Sequence, residues 1–199
     1  MAGNHINSME APVMISHLMS HPLTVVTKIT NMDKPYWSFF LKLWKSIPLH
    51  PGEGDWQAFR DILQALDDKQ LVAILPEGTR SRHGRMQKGF PGIVLIALRS
   101  KAPILPMVFH GHENYIKNMR RLKRSDFNIR VGNPFHLNAN GHPLSREVRE
   151  QMITEIMYQI ASLLPPAYRG VYSNLKNATS EFLEFEEGIQ NNLDLAPTA

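Results

Sequence analysis

Two groups of residues in this chain have the types and spacing to do chemistry. Near its start stand His5 and Glu10, with Ser8 placed as an N-cap and Pro12 tolerable only in a first helical turn, so a helix is predicted from about Met9 to Met19. His5 then lies in the loop before that helix and Glu10 in its first turn, where the helix dipole favours a carboxylate. An imidazole folded back onto such a carboxylate is a general base with its orienting acid; two solvated polar residues near a terminus have the same spacing. The second group is LVAILPEGTRSRHGR, Leu71 to Arg85. A short buried strand around Val72, Ile74 and Leu75 is stopped by Pro76. Glu77, Gly78, Thr79, Arg80, Ser81 and Arg82 then bring a carboxylate, a flexible turn, hydroxyls and two guanidiniums together. Sheets of α/β proteins commonly place ligands at strand ends, and the planar fork of Arg80 suits a phosphate monoester; an ordinary charged surface turn is the alternative.

The elements that must position these groups follow from the apolar pattern. Leu23 to Lys28 is β-branched and strand-like. From Lys34 to Ile47, Tyr36, Phe39, Phe40, Leu43, Trp44 and Ile47 recur at helical spacing, with Lys34, Lys42 and Lys45 as the main charges; a lipid interface and a core position both fit such a helix. Ile47 to Asp55 reads as a short strand entering a loop, with Asp55 capping a helix whose stripe, Trp56, Phe59, Ile62, Leu63 and Leu66, belongs in the core. A helix over Pro91 to Ser100 and a strand over Pro103 to Phe109 come next, the helix buried on most sides. The histidines of His110-Gly111-His112-Glu113 lack a further ligand set at a recognisable spacing and read as polar loop residues rather than metal ligands. Asp126 to Gly132 alternates like a strand, and Ser145 to Leu164 is an amphipathic helix with Val148, Met152, Ile156, Ile160 and Leu163 on one face. Helices alternating with strands give a mixed, largely parallel α/β sheet flanked by helices on both faces.

The chain has 199 residues, 43% hydrophobic and 20% charged, which is globular composition and enough for one cored domain, placed at residues 1–173. Residues 174–199 form an acidic tail, expected as a peripheral helix or a disordered end. From Leu175 onward Lys176 stands against Glu181, Glu184, Glu186, Glu187 and Asp194, a balance of −4, so the formal +4 of the whole chain leaves +8 on residues 1–174. Such a body favours anionic partners. Lys117, Arg120, Arg121, Lys123 and Arg124 cluster without interleaved aromatics or a reading helix, which fits a solvated or membrane-facing surface better than nucleic acid. With no cysteine, disulfides, thiolate metal sites and an acyl-cysteine intermediate are excluded. No apolar run approaches the about 18–20 residues of a membrane span, so contact with a membrane is expected to be peripheral.

Taken together these segments resemble the 1-acylglycerol-3-phosphate acyltransferase family, the lysophospholipid acyltransferases. Asn4-His5 with Glu10 is similar to its first block, Asn-His followed by four residues and an acid; Ile47 to Asp55 stands where the second lies. Leu75-Pro76-Glu77-Gly78-Thr79-Arg80-Ser81 is similar to the third, and Ala102-Pro103-Ile104-Leu105-Pro106-Met107 to the fourth. The resemblance implies transfer of a fatty acyl group from a coenzyme A or acyl carrier protein thioester to the hydroxyl of 1-acylglycerol 3-phosphate, giving phosphatidic acid in phospholipid synthesis. A non-catalytic phospholipid-binding relative, or a thioester or ester hydrolase, is the alternative.

By the same resemblance His5 takes the hydroxyl proton and Glu10 fixes its imidazole. Arg80 clamps the acceptor's phosphate with the Gly78 and Thr79 amides, while Glu77 bonds the glycerol portion or braces the Arg80 loop. No cofactor or metal is implied beyond the acyl thioester co-substrate, and the expected location is peripheral, at the cytoplasmic face of a membrane. Three departures accompany the likeness. The family's first-block acid is usually aspartate, His50 stands about where the second block usually has an arginine, and only Met1 to Gly3 precede Asn4, where the family normally has a strand and often an apolar helix. The expectation is therefore a chain without its usual amino-terminal leader, or a histidine loop without its anchoring strand.

Overall fold

The computed structural model describes residues 1–18, 20–50 and 54–197. Its elements in chain order are β1 (Ala2–Gly3), α1 (Glu10–Leu18), β2 (Leu23–Lys28), α2 (Pro35–Leu43), β3 (Ile47–Leu49), α3 (Trp56–Asp67), β4 (Leu71–Ala73), α4 (Gly92–Ser100), β5 (Pro106–His110), α5 (Tyr115–Arg120), β6 (Asn128–Val131), β7 (His136–Leu137), α6 (Arg146–Ser162) and β8 (Leu183–Glu184). The fold is mixed α/β, and it gathers into two compact units: Met1 with Ala11–Ile74, and Ala2–Glu10 with Leu75–Ala199. Met19, Pro51, Gly52 and Glu53, which fall within the predicted first helix and the second-block loop, lie outside the described residues, as does the side chain of Tyr36.

In the smaller unit the strands stand in the order β3-β2-β4, all parallel, with Val26 opposite Ile47 and Thr24 opposite Val72. Strand β2 takes the predicted bounds because its β-branched run has one clear end at each side. Helix α2 stops four residues short of the predicted end at Ile47: Lys45 turns left-handed at φ 48°, and Ile47 enters β3. Asp55 caps α3 as expected, accepting from the Ala58 N–H at 2.9 Å. The face α3 buries is nevertheless centred on Ala58, Ile62 and Ala65, and Trp56, expected in the core, is 70% exposed.

In the larger unit β1 pairs in parallel with β5, which pairs antiparallel with β6, and β7 pairs antiparallel with β8. The histidine loop thus has an anchoring strand, short as it is. A Cβ at Gly3 would lie 2.6 Å from the Met107 carbonyl oxygen, so only glycine allows this approach. Strand β6 is exposed along its whole length instead of alternating. Ser145 caps α6, and from Met152 onward that helix is buried on nearly all sides rather than along one stripe, including Glu155, Gln159 and Ser162.

That burial corrects the reading of the tail as a peripheral helix or a disordered end. The Glu155 carboxylate accepts from the Thr179 hydroxyl at 2.6 Å and from the N–H groups of Glu181 and Phe182 at 3.1 and 3.0 Å. Asn192, fully buried, donates to Gln159 and to the Asn133 carbonyl and accepts from the Asn133 N–H. A buried carboxylate must be paired or hydrogen-bonded, and here the tail supplies the donors.

Candidate active site

The segment from Asn4 to Glu10 is fastened to the larger unit at almost every residue. The Asn4 amide donates to the Phe109 carbonyl and accepts from the Phe109 N–H, both at 2.9 Å, extending β1 by a side chain where the backbone leaves the sheet. His5 follows with its backbone gripped from both sides: its N–H donates to Glu77 Oε1 at 2.9 Å, and its carbonyl accepts from the Ser81 N–H at 2.8 Å. The Asn7 amide reaches the His112 carbonyl at 3.1 Å, and the hydroxyls of Ser8 and Tyr115 stand 3.3 Å apart. Ser8, expected as an N-cap, is therefore turned to Tyr115, and just before α1 it is Asn7 Oδ1 that accepts from the Met9 N–H at 2.8 Å.

Glu10 is fully buried, and its two oxygens do different work. Oε1 accepts from the N–H groups of Ile6 and Asn7, at 2.9 and 2.7 Å, and lies 3.0 Å from Nε2 of His112. Oε2 faces Nδ1 of His5 at 3.5 Å. Burial alone would push the Glu10 carboxyl up. The hydrogen bonds of His112 and of the Asn7 N–H, with the His5 imidazole nearby, outweigh it and bring the carboxyl down from 4.5 to about 2, so Glu10 is a carboxylate at neutral pH. The His5 side chain is 22% exposed while its Nδ1 is buried against Glu10, so the exposure belongs to the rest of the ring, where Nε2 lies.

An acid-unfolding experiment checks this charge. The folded Glu10 takes its proton near pH 2 and an unfolded glutamate near 4.5. Its stabilisation is therefore complete above about pH 4.5 and is lost as pH falls towards 2. Glu77 acts in the opposite sense, because burial raises its carboxyl against the hydrogen bonds of His5 and Gln87. Glu10→Gln is expected to melt below the parent protein at neutral pH, by on the order of 3 kcal/mol, with the gap closing as the acid range is crossed. A gap constant from neutral pH down to about 2 would show that Glu10 does not carry this linkage.

The loop after β4 is built around Glu77, which is 1% exposed. Its Oε1 takes the His5 N–H, and its Oε2 takes the Gln87 N–H at 2.9 Å. Gly78 follows at φ +62°, a left-handed turn whose N–H donates to the Leu75 carbonyl at 3.0 Å. Gly78, Thr79 and Arg80 are exposed. Ser81 then holds the far side of the turn, its hydroxyl accepting from the His83 and Arg85 N–H groups.

These contacts decide between the two roles expected of Glu77, in favour of bracing the loop, and correct the phosphate role expected of the Gly78 amide. Glu77 is not at the open face: both its oxygens are occupied by the protein, and its role is to tie the loop to His5. The Gly78 amide is spent inside the turn, so glycine serves there by its conformation. Arg80 and the Thr79 N–H remain, and among the described residues neither has a protein partner. Arg80 adjoins Ser81, so its Cα lies one residue from the amide that binds the His5 carbonyl. Two groups some 75 residues apart in sequence are thereby joined through backbone.

Residues 1–110, more than half of the chain, match the Acyltransferase family. The chain belongs to that family. Among curated relatives, this chain is 34% identical over 80 residues to a 1-acyl-sn-glycerol-3-phosphate acyltransferase of Cocos nucifera, covering 39% of this chain and 26% of the relative. It is 41% identical over 56 residues to a protein of the same name from Limnanthes douglasii, covering 28% of this chain and 20% of that one. The matched part of the chain thus spans about a quarter or less of the length of these relatives. Among solved structures, the 1-acyl-sn-glycerophosphate acyltransferase PlsC from Thermotoga maritima superposes with a TM-score of 0.57 and 18% identity, over 90% of this chain and 67% of that one, which shows a shared fold.

Sequence reasoning missed His112. It was read as a polar loop residue, yet it is fully buried against Glu10, with its ring stacked on Phe127 at 4.1 Å between centroids. No local pattern announces a contact between residues 102 positions apart. The second-block histidine, His50, belongs to the smaller unit, where Asp55 accepts from its N–H and lies 2.8 Å from its Nδ1. Hydrogen bonds from Ala58 and His50 hold the Asp55 carboxyl well below the usual carboxylate range.

Proposed function

We propose that this acyltransferase moves a fatty acyl group from a coenzyme A or acyl carrier protein thioester to the free hydroxyl of a 1-acylglycerol 3-phosphate, forming phosphatidic acid. The observation that carries the reading is His5, partly exposed, with its backbone clamped by Glu77 and Ser81 and its Nδ1 turned to a buried carboxylate. A carboxylate behind Nδ1 favours the tautomer with the proton on Nδ1 and leaves Nε2 to accept one. Nε2 then removes the acceptor's hydroxyl proton as that oxygen attacks the thioester carbonyl. The tetrahedral adduct collapses, the carbon–sulfur bond breaks, and the imidazolium returns the proton to the departing thiolate. The thioester is already activated, so the residues need only position it and move one proton. Arg80, exposed beside the clamp, is suited to the phosphate at the other end of the glycerol.

The test is thiol release from acyl-CoA. Release that depends on added lysophosphatidic acid and yields phosphatidic acid supports the reading. Release without acceptor makes the protein a hydrolase, and lipid binding without any release makes it a non-catalytic relative.

We further propose a peripheral position at the cytoplasmic face of a membrane, since acceptor and product are both bilayer lipids. No helix among the described residues is long and apolar enough to cross one. Two surfaces support a peripheral contact, each within its own unit. On α2 the side chains of Phe39, Phe40 and Leu43 are exposed beside Lys42. Along α5 and the turn after it Ile116, Met119 and Leu122 are exposed among Lys117, Arg120, Arg121, Lys123 and Arg124, Leu122 at 97%. Apolar tips among cations suit an anionic lipid surface. Leu122→Asp is expected to weaken co-sedimentation with vesicles containing phosphatidic acid without changing the thermal midpoint; unchanged sedimentation would remove this turn from the membrane contact.

A further inference from the structure

The two oxygens of the Glu10 carboxylate are divided between two sets of partners. Its Oε1 sits among three donors, the N–H groups of Ile6 and Asn7 and Nε2 of His112, while only Oε2 faces His5. A glutamate has one more rotatable bond than an aspartate, so a carboxylate meant to hold an imidazole in one orientation needs a further constraint. The two backbone donors come from the same loop as His5 and move with it. His112 comes from the segment after β5 and is the donor that ties the carboxylate to the sheet. We propose that His112 is a positioning residue: by donating from Nε2 to Oε1 it fixes the longer Glu10 side chain so that Oε2 stays behind Nδ1 of His5. This rests on the acyltransferase reading of His5.

The surroundings of His112 are built for that task. The ring is fully buried and stacked on Phe127, with an interplanar angle of 33°. Its carbonyl accepts from the Asn7 side chain at 3.1 Å and from the Tyr115 N–H at 3.1 Å, so the backbone on either side is held. Gly111 turns the chain inward at φ +91°, and a Cβ there would meet the Asn128 side chain at 2.8 Å. A carboxylate oxygen only accepts, so the proton of this contact is on Nε2 of His112. Both imidazoles thus address one carboxylate, each at its own oxygen, and the orientation of the exposed ring depends on the buried one.

The experiment uses the full chain and two variants, His112→Leu, which keeps bulk but no donor, and His112→Gln, whose side-chain N–H₂ reaches about as far as Nε2. His112→Leu is expected to lower kcat about tenfold or more, part of the roughly 10²- to 10⁴-fold a general base supplies, with KM for lysophosphatidic acid unchanged. His112→Gln is expected to recover most of that loss. In a Glu10→Gln background the effect of His112→Leu is expected to vanish, since the residue acts through Glu10. A purely structural role predicts instead no rescue by glutamine and the same penalty in both backgrounds, and either of these overturns the proposal. Imidazole ¹⁵N spectra give a second readout independent of turnover. His5 is expected to keep its proton on Nδ1 in the parent protein and in His112→Gln, and to lose that preference in His112→Leu. If the parent protein releases no thiol with any acceptor, the acyltransferase reading fails, while the spectra still decide the role of His112.

Discussion

Replacing His5 with alanine is expected to lower acyl transfer by about 10²- to 10⁴-fold, the range a well-placed general base supplies, while leaving the fold standing. The fold survives because the contacts that hold this residue belong to its backbone. The N–H to Glu77 and the carbonyl to Ser81 are indifferent to the side chain. Glu10 loses only the group facing Oε2, and its Oε1 keeps the Ile6 and Asn7 amides and His112. The measurement is thiol release at saturating acyl-CoA and lysophosphatidic acid, with a thermal melt alongside. A fall in kcat at constant melting temperature assigns the proton transfer to His5. Turnover near the parent level would show that another group takes the hydroxyl proton.

The second large effect is expected at the other end of the acceptor. Arg80→Ala should raise KM for lysophosphatidic acid by about 10- to 100-fold, as befits the roughly 1.5–3 kcal/mol of a hydrogen bond to a charged group. The same variant should barely change KM for a monoacylglycerol, which has no phosphate. Because Arg80 is exposed and bonds no other described residue, the melting temperature should not move. Arg80→Lys is expected to recover only part of the loss, since an ammonium restores the charge but not the two-pronged geometry. Equal changes in KM for both acceptors would reject the phosphate clamp and leave Arg80 as a surface cation.

Much of this was legible from local pattern. The β-branched run of β2, the Asp55 cap and the helix start that puts Glu10 in a first turn are decided by residues a few positions apart, and all stand in the fold. The pairing of His5 with Glu10 is of the same kind. What escaped depends on distant partners. An apolar stripe on α3 was drawn through its largest side chains, but the packed centre runs through Ala58 and Ala65, whose small size lets neighbours approach and which hydropathy patterns weigh lightly. Glu77 stood open between a glycerol contact and a brace for the Arg80 loop; only the folded chain reveals the His5 and Gln87 amides that enclose it. The tail looked solvated because its acids were counted, whereas its backbone N–H groups and its asparagines serve the buried Glu155 and Gln159 and the backbone of Asn133.

The long spans of these contacts bear on the order in which the protein matures during synthesis. His5 precedes all of its partners in the sequence. It gains the bracket of its loop only after Ser81 has been added, the sheet support of Asn4 only after Phe109, and the partner of Glu10 only after His112. Helix α6 cannot bury Glu155 until Glu181 and Phe182 exist. The parallel strands of the smaller unit, by contrast, need nothing beyond residue 74. A nascent chain reaching residue 74 would thus hold every strand of the smaller sheet, while the surroundings of His5 and Glu10 are completed only once His112 has been added.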